Sequence, residues 1–199
     1  FLLILSCGGL FIMANLWATD SYSSVSQALR YGLFQASAFV TTTGHFNADF
    51  DLWPAFSRMV LLLLMLIGAS SSSTGGGIKV IRIIVLIKIL RRGIFMRLHP
   101  NAVVPIKIQE KTIPAEMVSG IMSFLALYAF IFMLSGLVLS LEDLDFLTII
   151  TTVTATLNNV GTGMGLVGPN GSFAMFSDFS KVYLSFLMLM GRLELFTII

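Results

Sequence analysis

Charge is scarce in this 199-residue sequence, where Asp, Glu, Lys and Arg together make up 11%. A soluble domain carries about a quarter, so this chain has too few charged groups to cover a water-facing surface. Cysteine is nearly missing: Cys7 stands alone, which excludes an internal disulfide and any cysteine metal cluster and leaves it a small apolar packing residue. The two histidines, His45 and His99, lie far apart, and no nucleophile–base spacing accompanies them, so nothing supports an enzyme. What fills the chain is apolar: 56% of residues are hydrophobic and the mean hydropathy is +0.93.

The apolar residues gather into runs near the length, about 20 residues, that crosses a bilayer. Leu2–Trp17, Leu52–Ile67, Met117–Leu141 and Val182–Ile199 are the clearest. The expected solvent is lipid. Both ends, Phe1 and Ile199, fall inside such runs, and the start lacks the charged flank of a signal peptide, so the expectation is a piece of a longer chain.

The few charges are sorted by sign. Eight of the twelve Lys and Arg fall between Lys79 and Lys111, opposed there only by Glu110. Asp20, Asp49, Asp51, Glu142, Asp143, Asp145 and Asp178 lie elsewhere. Positively charged loops stay in the cytoplasm, which puts the 88–112 connection inside and the acidic loops outside, where they gather cations. In so apolar a chain the basic run is no nucleic-acid patch. It suits a cytoplasmic partner or the headgroups of membrane lipid.

An order of elements occurs twice. Phe56-Ser57-Arg58 leads through Leu64–Ile67 to Gly68, and Phe179-Ser180-Lys181 leads through Leu187–Met190 to Gly191. Upstream of each lies a polar stretch ending in glycine: Thr41-Thr42-Thr43-Gly44, and Asn158-Asn159-Val160-Gly161. Each follows a segment too short or too polar to span alone, Ser24–Val40 and Asp145–Leu157. The fold expected is therefore an all-α integral membrane protein of two tandem helix–pore loop–helix units, half of a four-unit pseudo-fourfold pore. The first unit covers 1–98, a cytoplasmic connection 99–114, and a second unit, truncated at its C-terminus, 115–199.

Irregular backbone at membrane depth survives only when buried in protein or lining a watery cavity. A short helix followed by an extended Thr/Gly segment can turn carbonyl oxygens toward an axis, where rings of them replace a cation's hydration shell. The C-terminal ends of the short helices add partial negative charge there. A ring needs about four contributors and this chain supplies two. The candidate filter is thus Thr41–Gly44 and Asn158–Gly161, with a dehydrated cation held by backbone carbonyls of Thr42, Thr43, Gly44, Asn159, Val160 and Gly161.

Gly68, Ala69, Ser70, Ser71, Ser72, Ser73, Thr74, Gly75, Gly76 and Gly77 interrupt what would otherwise be one helix from Leu52 to Leu90. Three consecutive glycines cost roughly 1 kcal/mol each in a helix interior, so the helix breaks. The second unit has only Gly191-Arg192-Leu193-Glu194 there, which marks 68–77 as a movable obstruction. It is not a phosphate-binding loop, because Ile78 separates Gly77 from Lys79. Arg192 is costly in an apolar helix and is expected to face the pore, repelling cations or bonding to the Gly/Ser loop. His45 reads as a hydrogen-bonded structural residue.

Thr41–Gly44, the run from Ser72 to Arg82, Asn158–Gly161 and Met188–Glu194 resemble the Trk/Ktr/HKT superfamily of potassium uptake proteins, and most nearly its bacterial Trk membrane subunits, over essentially the whole chain. His45, Thr162 and the serine run depart from the family pattern. The resemblance implies a multi-pass protein of the cell inner membrane with four such units, of which these are the third and fourth. It also implies filter glycines at Gly44 and Gly161, gating by 68–77 and Arg192, a homodimer, and a cytoplasmic regulatory subunit with nucleotide-binding domains. Potassium is then the substrate and no cofactor is expected. The competing reading is an ion-coupled secondary transporter with broken helices.

Overall fold

A computed structural model describes residues 1–70, 73, 75–99, 105–108 and 111–193. Seven α-helices carry these residues: α1 Leu2–Ala18, α2 Val25–Val40, α3 Ala55–Ile67, α4 Val80–Leu98, α5 Ala115–Leu139, α6 Phe146–Leu157 and α7 Asp178–Arg192. Helix starts follow capping chemistry. The Ser24 side chain accepts the Gln27 N–H and Asp145 accepts that of Leu147, so α2 and α6 begin where small polar residues satisfy their first amides. Pro54 and Pro114 precede α3 and α5. Pro54 sets the start of α3 at Ala55 rather than Leu52, which lies in a separate 3-10 turn, Phe50–Leu52.

Two differences from the sequence reading concern the basic segment. The connection expected over 88–112 is helical through Leu98, because Lys, Arg and Leu are good helix formers and only Pro100 stops the run. Beyond it, two-residue strands β1 Lys107–Ile108 and β2 Lys111–Thr112 pair antiparallel, so among the described residues the regular structure is helical apart from this small hairpin.

Two cores form. Around Ile12, Leu16, Phe39, Phe50, Leu61 and Met65, helices α1, α2 and α3 pack together. Around Phe124, Ile131, Val153, Leu157, Leu184 and Leu187, helices α5, α6 and α7 do the same. The two are stitched at the loops: Ala155, Val160 and Met164 belong to the first core although they lie in the second half of the chain. Helix α6 buries five threonines, and the hydroxyls of four of them bond within the helix. Thr152, Thr154 and Thr156 donate to carbonyls one turn back at 2.6–2.8 Å. Thr151 also holds the following loop, contacting Met164 at both its N–H and its carbonyl.

The outside is apolar. Leu3 on α1, Met133 and Leu137 on α5, and Val182 on α7 are each at least two-thirds exposed. Among the described helices only the segment from Ala115 to Glu142 is both long and apolar enough to cross a membrane; α1, α3 and α6 are apolar but shorter.

Candidate functional site

The two polar loops adopt one conformation. Thr42 and Asn159 both have φ +56°, and two residues later Gly44 and Gly161 have φ +66° and +88°. Left-handed backbone at a threonine is costly, so its recurrence at matched positions marks a shared design. The hydrogen bonds repeat as well. Thr43 and Gly44 donate their N–H groups to Ala38 O, and Val160 and Gly161 donate theirs to Ala155 O. The amides of each loop are thereby folded back onto the C-terminal turn of its short helix, α2 or α6. Those helix ends carry partial negative charge at Thr41 and Asn158, their C-caps.

The loops also touch each other. A Cβ built on Gly44 would land on the Val160 carbonyl oxygen, while the Thr162 hydroxyl donates to Gly44 O at 2.6 Å. His45 Nδ1 lies 3.2 Å from Thr43 O, and the His45 carbonyl accepts from the buried Gln35 Nε2 at 3.4 Å. A carbonyl has two lone pairs, so Gly44 O retains acceptor capacity beside Thr162. Among the described residues nothing lies within 4 Å of a Cβ built on Gly161. The contact is therefore one-directional: the Gly44 side of the first loop meets the Val160 side of the second, and the corresponding Gly161 side is open in this chain.

Directly against both loops sits the interruption between α3 and α4. Helix α3 ends at Gly68, with φ +72°. The chain leaves and returns through a closed neck, since Ile78 N donates to Leu66 O and Val80 N to Ala69 O, both at 3.2 Å. From that neck Gly75 and Gly76 reach the polar loops. Cβ atoms there would lie 2.5 Å from Thr42 Oγ1 and 2.5 Å from Asn158 O, respectively. Glycine permits this approach. Ser70 and Ser73 flank it, half-buried, whereas Ser71, Ser72 and Thr74 lie outside the described residues. A cavity of about 10 Å3 lies behind the interruption, bounded by Gly77, Lys79, Arg82, Tyr128 and Gly191.

Arg192 is the last residue of α7 and is exposed in this chain; Glu194 is outside the described residues. Its neighbour Gly191 packs on the Leu157 carbonyl. One turn earlier, Met188 O accepts from Asn159 Nδ2 at 3.0 Å, so the second loop is bonded to the helix that carries Arg192.

Tyr128 escaped the sequence reading, as did the contacts that residues already singled out make with one another. Asn158 is fully buried, and its amide joins three elements: Nδ2 donates to Met65 O on α3 and Oδ1 accepts from Tyr128 on α5, each at 2.8 Å. A tyrosine inside a long apolar helix needs a partner, a signal that could have singled out Tyr128. Arg82 stacks over Phe124 with 3.8 Å between guanidinium carbon and ring centre. Lys79, buried with φ +61°, opens α4. Near the acidic side, Asp49 accepts from Asn170 Nδ2 at 2.6 Å and Asp51 from Gly165 N at 3.1 Å, clasping the two halves. Burial foremost, then repulsion from Asp49, pushes the Asp51 carboxyl above its ordinary value, against the Gly165 hydrogen bond and the Arg58 charge.

Residues 9–199 match the TrkH family, described as "Cation transport protein". The chain is 37% identical over 184 residues to the Trk system potassium uptake protein TrkH of Salmonella typhimurium, covering 92% of this chain and 38% of that protein. It is 35% identical over 199 residues to the TrkH of Halomonas elongata, covering 99% of this chain and 41% of that protein. The crystal structure of the potassium transporter TrkH from Vibrio parahaemolyticus superposes with a TM-score of 0.92 at 36% identity, over 100% of this chain and 42% of the other. The chain thus spans about two fifths of the length of the relatives it matches.

Proposed function

The chain belongs to the TrkH family of cation transport proteins, and from that membership we propose that it forms half of a potassium-selective pore for potassium uptake. Its two tandem helix–pore loop–helix units, 1–98 and 115–199, joined by 99–114, are the third and fourth of four in a multi-pass protein of the cell inner membrane. The one-directional seating of Gly44 against Val160 carries this reading. A contact between unlike surfaces repeats into a ring where the rotation closes, and loops supplied by the N-terminal half would continue it from the side of Gly161.

Carbonyls of Thr42–Gly44 and Asn159–Gly161 coordinate dehydrated potassium, assisted by the negative ends of α2 and α6. The 68–77 interruption is the gate. It lies in contact with Thr42 and Asn158, so it obstructs the path immediately beneath the filter. Arg192 supports the obstruction by repelling cations. A cytoplasmic regulatory subunit with nucleotide-binding domains moves α4 and with it the gate, in a homodimeric assembly. Asp49 and Asp51 contribute to the acidic outer face.

Cation flux through the whole protein in liposomes tests this, with Gly44→Ser and Arg192→Ala beside the wild type. Passive potassium flux, sodium entry in Gly44→Ser and faster flux in Arg192→Ala are expected. Low-turnover transport that requires a proton or sodium gradient and ignores Gly44→Ser would instead identify an ion-coupled transporter.

A further inference from the structure

Helix α4 has two adjacent faces with different chemistry. Lys88, Arg91 and Arg92 recur at the three- and four-residue spacing of one helical face, with Phe95 a turn further on. Ile87, Leu90, Ile94 and Leu98 are exposed along the neighbouring stripe, about a quarter turn away at 3.6 residues per turn. The basic face looks onto the hairpin. Lys88, Arg91, Arg92, Phe95, Ile106 and Lys107 line a groove of about 400 Å3, and Lys88 Nζ donates to the Lys107 carbonyl, tying helix to hairpin. No acidic side chain is among the described residues lining it.

Four cations around one groove repel each other and call for an anion. The exposed aliphatic stripe beside them calls for something apolar at the same time. A free anion satisfies only the first demand, and an acidic water-soluble segment leaves the stripe uncovered. An anionic phospholipid meets both, because it carries a phosphate and acyl chains in one molecule. Basic pockets on the cytoplasmic side of helical membrane proteins suit such headgroups.

We propose that the groove between α4 and β1, lined by Lys88, Arg91, Arg92 and Lys107, is a binding site for an anionic phospholipid of the cytoplasmic leaflet. The phosphate sits among the cations and the acyl chains lie along Ile87, Leu90 and Ile94. Its placement in that leaflet rests on the membrane orientation given above. Because α4 begins at Val80, just after the interruption, a lipid held here fixes the helix that bears on the gate.

The test uses the whole protein in detergent, offered equal amounts of dioleoylphosphatidylglycerol and dioleoylphosphatidylcholine, with retained lipid identified by native mass spectrometry. Wild type is expected to retain phosphatidylglycerol preferentially. The triple variant K88Q/R91Q/R92Q should lose that preference by on the order of a hundredfold and Lys107→Gln, outside the helix, by about fivefold. Arg30→Gln on α2 should keep it. Excess inorganic phosphate should leave the bound lipid in place. Wild type without a preference, or variants that keep it, would overturn the proposal. So would displacement by phosphate alone, which would mean a free-anion site, or a triple variant that keeps its lipid and loses only capture of the regulatory subunit, which would mean a protein interface. This readout needs no ion flux, so failure of potassium permeation with intact lipid preference counts against the pore alone.

Discussion

The α-carbon of Gly44 faces the carbonyl oxygen of Val160 so closely that no side chain fits between them. One residue of each polar loop thereby sets the position of the other. Gly44→Ala would add left-handed strain, about 1–3 kcal/mol, to displacement of Val160. The expected outcome is a lower melting temperature and a reduced ratio of potassium to sodium flux. Gly161 has the same backbone conformation and an open side in this chain. If a further loop closes the ring, Gly161→Ala in the whole protein is as damaging as Gly44→Ala. A markedly milder effect would argue against a closed ring.

Under the proposed function, Asn158 should couple filter to gate. Its amide bonds Met65 O, just before the helix break, and Tyr128. Tyr128→Phe leaves Asn158 Oδ1 short of a donor, at a cost of about 1–3 kcal/mol. Asn158→Leu strands both partners and costs more. A double-mutant cycle read by thermal unfolding should show the two changes to be strongly non-additive. Additivity would mean that the hydrogen bond contributes nothing.

Gly76→Ala is expected to push the interruption off Asn158, because its Cβ would come 2.5 Å from that carbonyl oxygen. Basal potassium flux should rise. Gly93→Ala in α4 is the matched control: nothing lies within 4 Å of its Cβ, so it should leave flux unchanged and stabilise the helix by up to about 1 kcal/mol.

Asp51 makes a pH signature. Its carboxyl is raised above the ordinary 3.8, mainly by burial, so the folded state holds its proton more tightly than the unfolded chain. The stability this contributes is complete below pH 3.8 and is lost as pH rises through the raised value. Asp51→Asn removes that loss and keeps an acceptor for Gly165 N. The stability of the variant relative to wild type should therefore increase across the window above pH 3.8. A difference independent of pH would contradict the assignment.

Much of this was legible in the residues. Ser24 and Asp145 mark the starts of the two short helices, and Thr-Thr-Thr-Gly and Asn-Asn-Val-Gly mark their ends, because capping and left-handed turns are local chemistry. The break after Ile67 was legible for the same reason, since glycine acts on its own stretch of chain. The extent of α4 was not, because charge was read as loop although Lys88, Arg91, Arg92 and Arg97 are sound helix formers. Nor was the Tyr128–Asn158–Met65 junction, whose partners meet only after folding. The contact of Gly75 and Gly76 with both polar loops is of that kind too: composition marks a flexible segment but does not say what it rests on.

The closed neck of the interruption bears on how much a conducting cycle would cost. Hydrogen bonds from Ile78 to Leu66 and from Val80 to Ala69 hold the ends of the two half-helices together whatever the tip does. A tip that swings away gives up its contacts with Thr42 and Asn158 without unwinding α3 or α4. If the interruption is the gate proposed above, the work of opening is confined to a few glycine contacts and kept separate from the free energy that holds the helices folded, so the passage could be cleared many times without the protein approaching denaturation.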